Sequence, residues 1–229
     1  MQLIKDLLSL LVHQGCYACG RQLASQEHIV CFNCLGHIQQ TDFHLAPKEN
    51  ELYYRLAGRV ELGGATGLFY FDKKGKLQRL INAFKYQDAP DVAVHLGRLL
   101  GHSLKDSEMA GEFDAVIPVP LHPAKALKRG YNQAERIAFG LAEALGKDLD
   151  TACLLRSRNT RTQTRKSRDA RWRNVNGAFE LKKQPPSRLL LVDDVITTGA
   201  TLEACIQVLQ AADITPEYVA IGCVGLARG

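Results

Sequence analysis

The sequence predicts an α/β protein, a parallel sheet flanked by helices, preceded by a small module built on four cysteines. Three observations predict it. Short, nearly continuous apolar runs alternate with stretches of helical spacing, the pattern of strands buried on both faces and of crossover helices. Four of the seven cysteines stand as two C-x2-C pairs near the front of the chain. One apolar run, residues 189–192, leads through two adjacent acids into a Thr-Gly loop and then a helix. The 229 residues are 46% hydrophobic and 23% charged, which excludes a disordered or low-complexity chain. No apolar run reaches the ~18 residues of a membrane span, so no transmembrane segment is expected. Residues 3–12 are apolar but broken by Lys5 and Asp6, with no small-residue cleavage site after them. They do not read as a secretory signal, and a cytoplasmic protein is expected.

Residues 1–12 read as an amphipathic helix carrying Leu3, Leu7, Leu10 and Leu11 on one face. Cys16, Cys19, Cys31 and Cys34 follow, with eleven residues between the pairs. Two facing C-x2-C turns supply a tetrahedral set of four sulfurs, which suits a structural Zn²⁺ in a zinc-ribbon-like module and leaves no open position for water. Two disulfides or an iron–sulfur centre are the alternatives, and a cytoplasmic chain argues against the disulfides. His28 and His37 read as surface residues, and Cys153, Cys205 and Cys223 as small buried hydrophobes.

Residues 41–58 are mixed and polar and read as a linker. A strand is predicted at 65–72, closed by Lys73-Lys74-Gly75. Leu77, Leu80, Ile81 and Phe84 give helical spacing over 76–86, Asp88-Ala89-Pro90 breaks it, and a second helix covers 91–107. Residues 113–120, FDAVIPVP, form an apolar run for a buried strand. A basic loop, 121–130, carries Lys125, Lys128 and Arg129, and a helix at 131–145 ends at Gly146, a residue suited to a C-cap. Further strands are predicted at 174–181, 188–192 and 218–224, a turn at 184–187 and a helix at 203–211.

The net charge is +5, but it is not spread evenly. Residues 156–173 hold seven arginines and Lys166 against Asp169 alone, a local +7 that leaves about −2 elsewhere. Such a segment attracts phosphate, on a small ligand or on nucleic acid.

The chemistry concentrates in LLLVDDVITTGATL, residues 189–202. A buried strand reaches Asp193 and Asp194 at its carboxyl end, where ligands sit in open α/β sheets. The loop Thr197, Thr198, Gly199, Ala200, Thr201 precedes a helix, whose free N–H groups and positive dipole end favour a monophosphate. Gly199 allows close backbone approach. Two carboxylates beside a phosphate loop imply a phosphorylated sugar, since they can accept hydrogen bonds from vicinal hydroxyls or help place Mg²⁺. The G-x4-G-K-[ST] loop of nucleoside-triphosphate binders is absent.

Residues 189–202 resemble the phosphoribosyl pyrophosphate (PRPP) signature of type I phosphoribosyltransferases. Together with the four-cysteine module, AFKY at 83–86, PVP…KRGYNQAE across 118–135 and TQTRKSRDARWRNVNGAF at 162–179, the chain resembles the ComF family of late-competence, GntX-type, amidophosphoribosyltransferase-like proteins. The resemblance implies a type I phosphoribosyltransferase fold divided into a zinc module (1–45), a linker and hood-like region (46–110) and a core (111–229). It implies that Thr197, Thr198, Gly199, Ala200 and Thr201 cradle the 5′-phosphate and that Asp193 and Asp194 meet the ribose hydroxyls as the catalytic pair. Val119, Pro120 and Leu121, with Lys85, Arg129, Arg161 and Arg165, become candidates for the pyrophosphate side. The segment 156–173 resembles a loop that closes over the site, while a nucleic-acid-binding or solvated stretch remains the alternative. The activity implied is transfer of a phosphoribosyl group with Mg²⁺. The alternative is a non-catalytic PRPP or nucleotide module that handles single-stranded DNA with a competence helicase or another DNA-processing partner. The acceptor is not named by any residue pattern.

Overall fold

The computed structural model describes residues 15–157 and 177–228. The helix expected at 1–12 and most of the basic segment, including Arg161 and Arg165, lie outside the described residues.

Seven strands are described: β1 (Gly64–Phe71), β2 (Ala115–Pro118), β3 (Asp148–Leu149), β4 (Leu154–Arg156), β5 (Phe179–Leu181), β6 (Arg188–Ile196) and β7 (Tyr218–Ala227). Five form one sheet in the order β1-β7-β6-β2-β3, with every pairing parallel. The other two, β4 and β5, make a separate antiparallel ribbon. The helices are α1 (Phe32–Gly36), α2 (Glu51–Leu56), α3 (Lys76–Tyr86), α4 (Pro90–Leu104), α5 (Pro123–Arg129), α6 (Gln133–Leu145) and α7 (Ala200–Gln210). The parallel sheet flanked by helices is the predicted architecture.

Strand alternation sends successive side chains to opposite faces, and β6 divides the core accordingly. Leu190 and Val192 join a layer with Leu80 and Phe84 of α3, Leu96 and Leu100 of α4, and Ile137 and Leu141 of α6. Leu189 and Leu191 join the opposite layer with Leu202, Ile206 and Leu209 of α7 and Leu52 and Leu56 of α2. The backbones of α4 and α6 touch, because a Cβ on Gly97 would lie 2.0 Å from the Ile137 carbonyl and one on Gly140 2.1 Å from that of Val94. Cys16, Cys31 and Cys34 belong to the first layer, so the cysteine module shares a core with α3 and α4. Arg79 of α3 ties it further, donating to the Ala18 carbonyl at 2.9 Å.

Four expectations are corrected. Residues 41–58 are not a plain linker: they hold a 3-10 turn, Phe43–Leu45, and α2, whose Leu52 and Leu56, one turn apart, are wholly buried. The loop at 121–130 contains α5, with Pro123 opening the helix and the His122 ring accepting from the Ala124 N–H. The strand expected to stop at Val192 continues to Ile196, because β7 pairs with it through Ile196↔Leu226. The two aspartates therefore lie within the strand, and α7 begins at Ala200 rather than 203.

Candidate functional site

Because Asp193 and Asp194 are consecutive in β6, they face opposite sides of the sheet. Asp194 meets Lys85, in the last turn of α3, with Nζ 2.7 Å from Oδ2. Asp193 faces the α7 side, where burial and then the charge of Asp193 raise the pKa of the Cys205 thiol. Backbone groups fix both carboxylates: the Asp194 N–H donates to Asp193 Oδ1 at 2.8 Å, and the Val195 N–H to Asp194 Oδ1 at 2.6 Å. Burial pushes the Asp193 carboxyl up to about 7, the charge of Asp194 adds to this, and Lys85 and Arg156 oppose it. The site pairs one carboxylate with a lysine and holds a second whose titration burial moves up to about 7.

The strand ends in the turn that carries Thr197, Thr198 and Gly199. Gly199 has φ +80° and stands at the N-cap of α7. A small hollow of about 40 Å³ is lined by Asp193 and the chain from Val195 to Leu202, all five predicted phosphate-loop residues included. The first turn of α7 directs its dipole into this hollow.

A second cleft, of about 180 Å³, adjoins the first and shares Asp193 and Thr201 with it. It gathers Lys85, Val119, Pro120, Leu121, Arg129 and Asp194, so the described candidates from distant stretches converge here. Lys125 and Arg156 also line it, giving four cationic side chains around two acids. Burial, then the charges of Arg156 and Arg129, lower the Lys125 pKa, and burial lowers that of Arg156. Arg156 lies over the Phe179 ring at 5.1 Å and Arg129 over that of Tyr86 at 5.7 Å. Arg129 also donates to Gln133 Oε1 at 2.8 Å. Asn132 caps α6 through the Ala134 N–H and ties the rim together by donating to the Val119 carbonyl at 3.1 Å.

The sequence marks Lys125 only as a basic loop residue and reaches Arg156 only as one end of the segment expected to close over the site. It does not mark Arg55 at all, although this side chain reaches the Thr197 carbonyl. The available signal was the spacing of Leu52 and Leu56 behind Asn50, a short capped helix with a buried edge.

At the other end of the chain the four sulfurs of Cys16, Cys19, Cys31 and Cys34 lie within 4.8 Å of one another. Cys19 Sγ and Cys31 Sγ are 3.9 Å apart. A zinc tetrahedron with bonds of about 2.3 Å has sulfur–sulfur edges of about 3.8 Å. The backbone N–H groups of Cys31 and Cys34 point at Cys16 Sγ and Cys31 Sγ, at 3.3 and 3.4 Å, as suits thiolate ligands. The residues fit a structural zinc, and His28 and His37 are exposed, as expected. Glu27, buried beside this cluster, accepts from Arg21 at 2.8 Å and from the Ala24 and Phe32 N–H groups, closing the loop between the cysteine pairs.

The chain is 35% identical over 159 residues to Competence protein F of Haemophilus influenzae, a match covering 66% of this chain and 68% of that protein. The chain belongs to the ComF family. DNA utilization protein YhgH of Salmonella typhi is 33% identical over 140 residues, spanning 58% of this chain and 60% of its own length. No protein-family profile matches. Among solved structures, orotate phosphoribosyltransferase from Aeropyrum pernix aligns over 78% of this chain and 80% of its own, with 23% identity and a TM-score of 0.33. Among the described residues of this ComF protein, no helix is long and apolar enough to cross a membrane.

Proposed function

We propose that this chain binds PRPP with Mg²⁺ across the two adjoining clefts and transfers its phosphoribosyl group to a nitrogen nucleophile. The observation that carries the reading is the junction itself. A helix-opening loop hollow and a cleft ringed by Lys85, Lys125, Arg129 and Arg156 meet at Asp193 and Thr201. A ligand with a monophosphate at one end, a pyrophosphate at the other and a diol between them matches that order of groups.

In this reading, the loop Thr197–Thr198–Gly199–Ala200–Thr201 receives the 5′-phosphate. Asp193 and Asp194 accept from the ribose hydroxyls, Asp194 held in place by Lys85. The cationic cleft, with Val119, Pro120 and Leu121 as its floor, stabilises the pyrophosphate as it departs with the electron pair of the C1–O bond, while the acceptor nitrogen forms the new bond to C1. Mg²⁺, when bound with PRPP, neutralises part of the pyrophosphate charge. No nucleophilic side chain is needed, since positioning and electrostatics supply the catalysis. The hood-like region 46–110 is assigned to the acceptor side, and the basic segment 156–173, with Arg161 and Arg165, to closure over the site.

A second reading has a specific support, the names of the relatives. Proteins named for competence and for DNA utilization favour a non-catalytic module that recognises PRPP while it contacts single-stranded DNA and a DNA-processing partner. Pyrophosphate release assayed with PRPP, Mg²⁺ and a panel of nucleobases and amines separates the two. Release with any acceptor supports transfer. Tight PRPP binding without release, together with salt-dependent binding of an oligonucleotide, supports the module.

A further inference from the structure

The loop that opens α7 is held from behind by α2, in a segment whose polar sequence reads as linker. Asn50 anchors α2: its Oδ1 accepts from the Tyr53 N–H at 3.0 Å, and its Nδ2 donates to the carbonyls of Ala46 and Ala65 at 2.8 and 2.9 Å. From this base three side chains reach the loop and helix. Arg55 Nη1 donates to the Thr197 carbonyl and, at 3.1 Å, to that of Ala227 at the end of β7. Leu56, wholly buried, lies against Gly199, where an added Cβ would come within 2.8 Å of its Cδ2. Arg59 pairs with Glu203, buried in the first turn of α7, and also donates to the Arg55 carbonyl. The contacts fall at the start of the loop, at its left-handed residue and at the first turn of the helix.

We propose that Arg55 is a positioning residue, the centre of a latch that fixes the Thr197–Gly199 turn in the form that accepts a phosphate. The inference rests on the PRPP reading of this loop. The peptide bond is planar and trans, so a carbonyl and the following N–H point to opposite sides. With the Thr197 carbonyl captured by Arg55, the Thr198 N–H is turned away from the latch. Without Arg55 this peptide can flip and present a carbonyl oxygen, which repels phosphate, in place of a donor. Arg55 also joins the loop to β7, since its Nη1 donates to both carbonyls while its Nη2 pairs with Glu51 and steadies the guanidinium.

The test is calorimetric titration of ribose 5-phosphate and, separately, of pyrophosphate with Mg²⁺ into wild type, Arg55→Ala and Arg55→Lys. The latch predicts that Arg55→Ala weakens ribose 5-phosphate by about tenfold or more, the equivalent of one lost charged hydrogen bond. It predicts unchanged pyrophosphate affinity and partial recovery in Arg55→Lys. Hydrogen exchange on unliganded Arg55→Lys supplies a second reading if the alanine variant does not fold: faster exchange confined to residues 197–202, with β6 unchanged, supports the latch. Equal losses for both ligands, or exchange that rises across the whole sheet, means a structural role and overturns it. Unaltered ribose 5-phosphate affinity in a folded Arg55→Ala overturns the latch and leaves the PRPP reading standing. A wild type that binds neither ligand overturns the PRPP reading and the latch together.

Discussion

The cysteine module and the β6–α7 junction both gather polar ligand atoms, but they stand in opposite relation to the fold. In the module the four sulfurs are the organising contacts. They converge within 4.8 Å between short turns, and among the described residues around them only α1, five residues long, forms as an α-helix. At the junction the fold is made by apolar residues, Leu189 to Val192 wholly buried between two helical layers, and the carboxylates follow them within the same strand. The sulfurs gather the turns around them, whereas Asp193 is held where burial pushes its carboxyl up to about 7. Ligand groups that create structure and ligand groups that strain it can thus be told apart by what their removal does.

Removing zinc gives the largest effect. A chelator, or Cys19→Ala, is expected to release about one zinc per chain and to lower Tm by roughly 10 °C or more. Structural zinc contributes several kcal/mol, and each kcal/mol is worth about 2–4 °C in a chain of this length. Because Cys16, Cys31 and Cys34 share a core with Phe84, near-ultraviolet circular dichroism should change with the metal. A metal-free protein with an unaltered melt would break the comparison.

Gly199→Ala comes next. The left-handed backbone costs about 1–2 kcal/mol for a residue with a Cβ, and the contact with Leu56 adds to it, so Tm should fall by roughly 4–8 °C. An unchanged melt would mean that the loop does not keep its φ of +80°.

The third effect has the opposite sign. The Asp193 carboxyl titrates at about 7 in the fold, against an ordinary value of 3.8. Between those values the folded state binds more protons than the unfolded chain, so this group's stability contribution declines as pH rises from about 4 to 7. Asp193→Asn should therefore melt above wild type at pH 8, and the advantage should shrink as pH falls through 7. Equal melts at both pH values would contradict the burial of this charge. The smallest change is expected at Glu143→Gln, which removes an exposed pair with Arg98 and should alter stability by less than about 0.5 kcal/mol.

The same contrast explains what could be read from the sequence. The cysteine spacing and the run into VDDVITTGAT were legible because their chemistry is local: ligand spacing in one, strand, acids and glycine in the other. The helix Lys76–Tyr86 carries its apolar residues at a clean helical period and was placed without error. Helix α2 is hard to read because six residues bury only two apolar positions, and α5 because its exposed Leu127 offers no buried face to reveal it. Strand β6 looked too short because acids read as its end, whereas ladder bonds to β7 carry it past them. The cleft was the least legible feature. Lys85 in α3, Arg129 in α5 and Arg156 in the β4–β5 ribbon come from three distant stretches, and only the tertiary fold brings them together.

The central claim is that the β6–α7 junction is a PRPP site. The most direct test is calorimetric titration of PRPP with Mg²⁺ into wild type and into the Asp193→Asn, Asp194→Asn double variant at pH 8. The account predicts saturable binding to wild type and a loss of about 100-fold or more in the variant, as expected for two charge-assisted hydrogen bonds, with no fall in Tm. Equal affinity in the two proteins, or no binding to wild type, would contradict it.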